Sequence, residues 1–439
     1  MAGVQDRVQA SQASARISGV RKATPRVAAS IVLTALSTLT ALTLAITQFT
    51  AVPAAAAANL SARGPAAASS GSAVAWGDNH NGQLGDGTVI DRNRPVKVLL
   101  PTGTAVTALA TGGKHSLALT SAGTVLAWGS NHFGQLGNGS TVDSPTPVQV
   151  AMPNGTVVTA IAAGGSHSLA VTAAGQVFAW GDNEYGQLGD GTTVASDIPV
   201  RVRLAKSIKV IAVRASYNYS VALTAVGHVL TWGYNGSGQL GNGFHTASEI
   251  PTRVRLPKGT IVRAIASGGF DGLALTRSGR VLAWGDNRYG QLGDGTRRSS
   301  DVPVRVRLPV GTKVVALGGG SQHSLALTST GKVLAWGWNR FGQLGDGTSR
   351  GSDVPVHVRL PSGVRVTALS AGGGFSVALT STGQILTWGH NEFGQLGDGG
   401  TASSQRPVKV SLPAGLSAVA LAAGPTTRHN LAVVSPAAP

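Results

Sequence analysis

The stretch WGDNHNGQLGDG, residues 76–87, returns with small changes beginning at Trp128, Trp180, Trp232, Trp284, Trp336 and Trp388. Each step is 52 residues, and nothing is inserted or lost along the series. A tandem period held this strictly means one supersecondary unit copied along the chain, each copy burying its apolar surface against its neighbours. The repeat therefore overrides the several-domain organisation that 439 residues would otherwise suggest.

One period shows the plan. VTALA (106–110) is a short run of small residues, and Gly112-Gly113 turns the chain. HSLALT (115–120) alternates as a strand does, and Ser121-Ala122-Gly123 turns into TVLAW (124–128), so the pair predicts a hairpin. The Trp128 signature forms an irregular loop. A fourth strand is expected from Pro147, because proline lacks an N–H and suits a first position or an edge. Glycine at 61 residues and a charged fraction of 12% suit short strands and tight turns, rather than a disordered chain or a helical bundle. Four strands per unit predict an all-β, seven-bladed β-propeller.

The two ends of the array are complementary. HNLAVV (429–434) is a second-strand sequence with no third strand after it, and SAVAW (72–76) is a third strand with nothing before it. Docking the two completes a seventh blade, shared by N- and C-terminal strands, and removes two open edges. The propeller is expected over residues 71–435, with a short tail at 436–439. Residues 59–70, rich in Ala and Ser with Gly64 and Pro65, read as a flexible linker.

Residues 1–58 have a different composition. Arg16, Arg21, Lys22 and Arg26 precede an uncharged stretch at 27–49, followed by Ala-rich sequence with A-x-A cleavage sites. That layout predicts a signal peptide and a secreted or cell-surface protein. An uncleaved anchor is the alternative, since the stretch approaches the ~20 residues of a spanning helix. Beyond residue 58 stand 30 basic and 17 acidic residues, and such an excess favours anionic partners.

The segments HSLALTSAGTVLAWGSNHFGQLGNG and their copies resemble the regulator of chromosome condensation repeat family, over all seven units. The resemblance implies a seven-bladed ring with one blade shared between the termini. In one branch it implies guanine-nucleotide exchange on a small GTPase through a hairpin wedged into one blade. The unbroken 52-residue spacing leaves no room for that insertion. A second branch, bacterial and secreted, caps protein targets with an aromatic-rich face, and the expected export signal places this chain there.

Residues constant in all seven units are expected to hold blades together. The tryptophans Trp76, Trp128, Trp180, Trp232, Trp284, Trp336 and Trp388 predict inter-blade packing, each worth roughly 4–6 kcal/mol of burial as an upper bound. The signature asparagines, such as Asn131, predict loop locks. The Gly-Asp-Gly step does not have EF-hand spacing and reads as turn chemistry. The aromatic slot of Phe133, Tyr185, Tyr289, Phe341 and Phe393 reads as loop packing.

A binding site must break the symmetry. Tyr217, Tyr219 and Tyr234 are three of five tyrosines in the chain, and all fall in one unit. Arg214 occupies a slot that is alanine at 110, 162 and 266; Phe270 and Asp271 lie in the matching turn of the next unit; Trp338, with Arg340 nearby, is the one tryptophan outside the repeat slot. Aromatics with arginine are typical of binding hot spots, so these eight residues are the expected contact set. A second feature is the run PVRVRL, which puts Arg201 with Arg203, and Arg305 with Arg307, on one side of an outer strand.

No catalytic constellation stands out. There is no cysteine, glutamate occurs three times, and HExxH and Gly-Lys-Ser/Thr motifs are absent; a GxSxG string occurs at 347–351, but in the repeat loop rather than in the strand-to-helix turn that a nucleophile needs. His115, His167 and His323 come one per unit, in a slot that is elsewhere Tyr219, Asp271 and Phe375, and read as packing. The expectation is a non-enzymatic, monomeric binding platform without metal or small-molecule cofactor. It would recognise a protein or an anionic surface polymer through variable loops on one face. Nucleotide exchange and binding of cell-wall polymer or nucleic acid by the basic surface are the alternatives.

Overall fold

A computed structural model describes residues 71–437. The predicted signal peptide, the linker at 59–70 and the last two residues lie outside the described residues. Among those described there are 28 strands in seven four-stranded antiparallel sheets, and no helix is long and apolar enough to cross a membrane. The sheets are the blades of a β-propeller. Blades 1 to 6 occupy residues 106–149, 158–201, 210–253, 262–305, 314–357 and 366–409, and a closing blade joins 416–436 to 72–97.

Blade 1 is typical. Its strands are Val106–Thr111, His115–Thr120, Val125–Gly129 and Ser144–Gln149, paired in chain order. The fourth begins three residues before the predicted Pro147. A register shift lets Gly129 pair with Ser144 while Ala127 pairs with Val148. Pro145 and Pro147 are tolerated because this is the outer edge strand. The second and third strands are buried along their whole length rather than on alternate residues. Their two faces pack on the two neighbouring blades, so neither face meets water.

The ring closes as the termini predict. Strand Ser72–Gly77 pairs antiparallel with strand His429–Pro436, Ser72 opposite Val434 and Trp76 opposite Asn430. The final strand runs to Pro436, one residue into the predicted tail.

The apolar core is divided into seven clusters, each spanning two adjacent blades and each holding one repeat tryptophan at 0% exposure. Each indole N–H also donates to the backbone carbonyl of the signature glutamine one blade back, at 2.8–3.1 Å. Gly85 shows how tight this seam is. Its φ is +70°, and a Cβ there would stand 2.7 Å from Trp128 Nε1.

The signature asparagine locks its loop. Asn131 Oδ1 accepts from Leu136 N–H at 2.9 Å, while Nδ2 donates to the carbonyls of Ser140 and Val142 at 2.8 and 3.1 Å. All seven copies make the first of these bonds. Aspartates of the Gly-Asp-Gly step accept from the N–H two residues on, as Asp86 does from Thr88 at 3.0 Å, which is turn chemistry. Replacing Asn131 by Ala leaves the buried Leu136 N–H and two partly buried loop carbonyls without their partner. The expected cost is roughly 3 kcal/mol, measurable as a lower denaturant midpoint with an unchanged slope.

Candidate binding face and inter-blade slots

In every blade the turn after the first strand and the long loop after the third emerge on one face of the ring. Backbone bonds tie them together, as Tyr234 N–H does to the Asn218 carbonyl at 2.8 Å and Trp338 N–H to the Gln322 carbonyl at 2.8 Å. Residues that differ between units are thereby gathered across blades.

Two aromatic arcs result. In the first, Tyr185 meets Tyr234 edge-on at 5.0 Å, Tyr234 meets Phe270 at 6.1 Å, and Phe270 stacks on Tyr217 at 5.0 Å. In the second, Tyr289 packs on Trp338 at 5.9 Å, Trp338 on Phe341 at 5.3 Å, and Phe341 on His390 at 4.3 Å. It continues through Phe393 to His80 in the closing blade. Arg428 lies 4.9 Å over the Phe393 ring, within cation–π range. Most of these rings are half-buried, with one side packed and the other open.

The eight residues expected to act together separate into four places. Tyr217, Tyr234 and Phe270 share the first arc, and Trp338 sits in the second with Arg340 exposed on the same loop. Arg214 lines the central cavity instead. Tyr219 and Asp271 are fully buried between blades, so they do not touch a partner docked on the face. The slot lies at the start of the second strand, and its side chain is directed across the inter-blade seam. The arcs also recruit Tyr185, Tyr289, Phe341 and Phe393, whose recurring slot reads in the sequence as loop packing, together with His390 of the variable slot. The signal was present: an aromatic slot and a variable slot at fixed offsets, five and two residues after the repeat tryptophan.

The buried slot has its own chemistry. His115, His167, His323 and His429 each place Nε2 2.8–2.9 Å from the hydroxyl of Ser168, Ser220, Ser376 or Ser116 in the next blade. Each serine donates to a signature glutamine carbonyl, so the imidazole N–H must donate to the serine. That tautomer leaves Nδ1 bare, and all four Nδ1 atoms lack a partner. Burial lowers the pKa of His115, His167 and His323 to about 3 and of His429 to about 4.

Where the next blade has no serine, the slot is not histidine. Gly272 stands opposite Tyr219, whose hydroxyl donates to the Asp271 carbonyl at 2.5 Å, and Asn430 stands opposite Phe375. Asp271 is the exception. Ser324 is available in the next blade, yet both carboxylate oxygens of Asp271 are buried without a partner, because the side chain is too short to cross. Burial, reinforced by Asp286, raises its pKa well above the usual carboxylate range.

Asp78, His80 and Asp91 bring three potential ligand atoms together in the closing blade. They are already engaged with one another and with the loop: His80 Nδ1 is 2.7 Å from Asp78 Oδ1, and Asp91 accepts from Asn79 N–H at 2.7 Å.

With this geometry in view, the comparisons decide the family. The model of the RCC1-like domain matches residues 72–430. The chain belongs to the RCC1-like domain family. It is similar to the ultraviolet-B receptor UVR8 of Arabidopsis thaliana, at 34% identity over 333 residues, 76% of each chain. It is similar also to human E3 ubiquitin-protein ligase HERC2, at 35% identity over 83% of this chain but 8% of the ligase, so it spans only a small part of that relative. Among solved structures, Prp20p of Saccharomyces cerevisiae, described with its binding properties to Gsp1p and histones, has a TM-score of 0.75 at 24% identity. That match covers 84% of this chain and 92% of the yeast one, and shows a shared fold.

Two outcomes follow from the RCC1-like seam. The unfolded chain takes up protons below about pH 6.5 and the buried histidines do not. Their contribution to stability is complete above pH 6.5 and is lost as pH falls towards 3. Thermal midpoints measured across that window should fall, and His323→Phe, the side-chain type present at Phe375, should flatten the slope. Asp271 has the opposite sign, since the folded state keeps a proton that the unfolded chain releases above about pH 4. Asp271→His should remove that loss and supply the missing donor to Ser324, raising stability at pH 7 by roughly 2 kcal/mol in chemical denaturation.

Proposed function

We propose that this RCC1-like propeller is a non-catalytic binding platform that takes a protein partner on the aromatic arcs. The observation that carries the reading is the spread of partly open rings over six consecutive blades of one face, with Arg428 and Arg340 beside them. Rigid aromatics flanked by arginine are the residues that dominate protein interfaces. The relatives support a binding role: Prp20p is described with its binding to Gsp1p and histones. The ligase activity named for HERC2 belongs to a protein of which this chain matches 8%.

We propose further that residues 1–58 are an export signal, which would put the partner outside the cytosol. Cross-linking on intact cells with mass spectrometry identifies the partner. Trp338→Ala and Phe393→Ala should each weaken its binding at least ten-fold with no change in thermal midpoint. Unchanged affinity in both sinks the reading. An exchange factor would instead act in the cytosol and accelerate nucleotide release from a small GTPase.

A second reading rests on the outer rim. Arg201, Arg203, Arg253, Arg255, Arg305 and Arg307 are exposed, with Val202, Val254 and Val306 buried between them. Such a row suits an anionic polymer. Its affinity should fall steeply with salt, whereas binding through the arcs should vary little.

A further inference from the structure

Seven first strands surround the propeller axis, and their side chains at one level are Ala110, Ala162, Arg214, Ala266, Gly318, Ser370 and Ala422. Six are small and one is arginine. All seven line a cavity of about 130 Å³, in which Arg214 is the single charged residue. Its guanidinium has five N–H donors, and within the protein it makes one hydrogen bond, Nη1 to the adjacent Val213 carbonyl at 2.9 Å. No acidic side chain lines the cavity, and none forms an ion pair with Arg214 among the described residues. Desolvation by the surrounding small residues draws the Arg214 pKa down to about 10.

A second group at the cavity is also unsatisfied. Thr111, one position along in blade 1, is 3% exposed, and its hydroxyl has no partner. The other two hydroxyls of the lining are engaged with backbone carbonyls, Ser370 with Ala423 at 2.7 Å and Ser267 with Ala215 at 3.3 Å. Arg214 is therefore the side chain of the lining with donors open to the cavity; the Thr111 hydroxyl, though unpartnered, is buried beside it. A half-buried cation with unused donors favours a compensating negative charge, and arginine's planar fork matches two oxygens at once.

We propose that the central cavity binds one small oxyanion, of the phosphate, sulfate or carboxylate class, on the Arg214 guanidinium. The six small residues at the same level leave the space, and Arg214 supplies the charge. This site is separate from the aromatic face: Arg214 takes part in neither arc, and its occupancy does not depend on a protein partner.

The test uses the full chain and three probes, inorganic phosphate, sulfate and acetate, titrated calorimetrically and by thermal midpoint at constant ionic strength. Saturable one-site binding is expected for at least one of them. Arg214→Ala, which installs the residue found in four of the seven units, should fold normally and lose that binding at least ten-fold. Arg214→Lys should lose less, and Arg297→Ala, which removes an exposed arginine elsewhere, should change nothing. Preference for acetate over the tetrahedral anions assigns a carboxylate ligand, and the reverse assigns phosphate or sulfate. Absence of saturable binding with all three probes, or equal binding by Arg214→Ala, overturns the proposal.

Discussion

One hydrogen bond, repeated seven times, organises this molecule: the indole N–H of each repeat tryptophan donates to a glutamine carbonyl in the preceding blade. A blade of four short strands cannot bury both its faces alone. The tryptophan solves this by carrying a large apolar surface into the seam, with one polar atom that must find a partner there. The glutamine carbonyl is available because the signature loop holds its backbone in place, and the asparagine holds the loop. Loop lock, seam and ring closure are thus one device. Ser116 and its equivalents share the same carbonyl and extend it inward to the histidines.

Symmetry then separates structural from functional roles. Where a blade repeats the rule, its residues are accounted for by packing. Where it departs, the consequence depends on where the slot points. Departures on the loops enlarge the aromatic arcs. Departures in the seam, such as Tyr219 with Gly272, are compensated by the neighbouring blade: glycine stands where other blades have serine, and the Tyr219 hydroxyl donates to the Asp271 carbonyl instead. Asp271 is not compensated, and it marks blade 4 as the weak point of the ring at neutral pH. Arg214 departs towards the axis, where no neighbour answers its charge.

Much of the fold was legible from the residues. Trp76 to Trp388 set the repeat, the glycine turns separated strands, and the unmatched strands at 72–76 and 429–434 predicted closure. The fourth strand was misjudged because its start depends on a register shift against Gly129, which is a pairing between strands and leaves no local trace. The candidate site was legible only in part. Tyr217, Tyr234, Phe270 and Trp338 were found by their rarity. Tyr289, Phe341 and Phe393 were passed over because an aromatic recurring in most units looks like packing until neighbouring blades are placed side by side.

The sequence by itself determined the ring: a fixed period, four strands per unit and a tryptophan in every seam admit few other ways to bury the apolar surface. Only the tertiary structure decided which variable residues face a partner. Tyr217 and Tyr219 are two positions apart, yet one lies in an open arc and the other is sealed between blades. The difference arises because a turn ends and a strand begins between them. The strand's side chain is then directed by the pleat into a seam that a second blade, 52 residues away, completes.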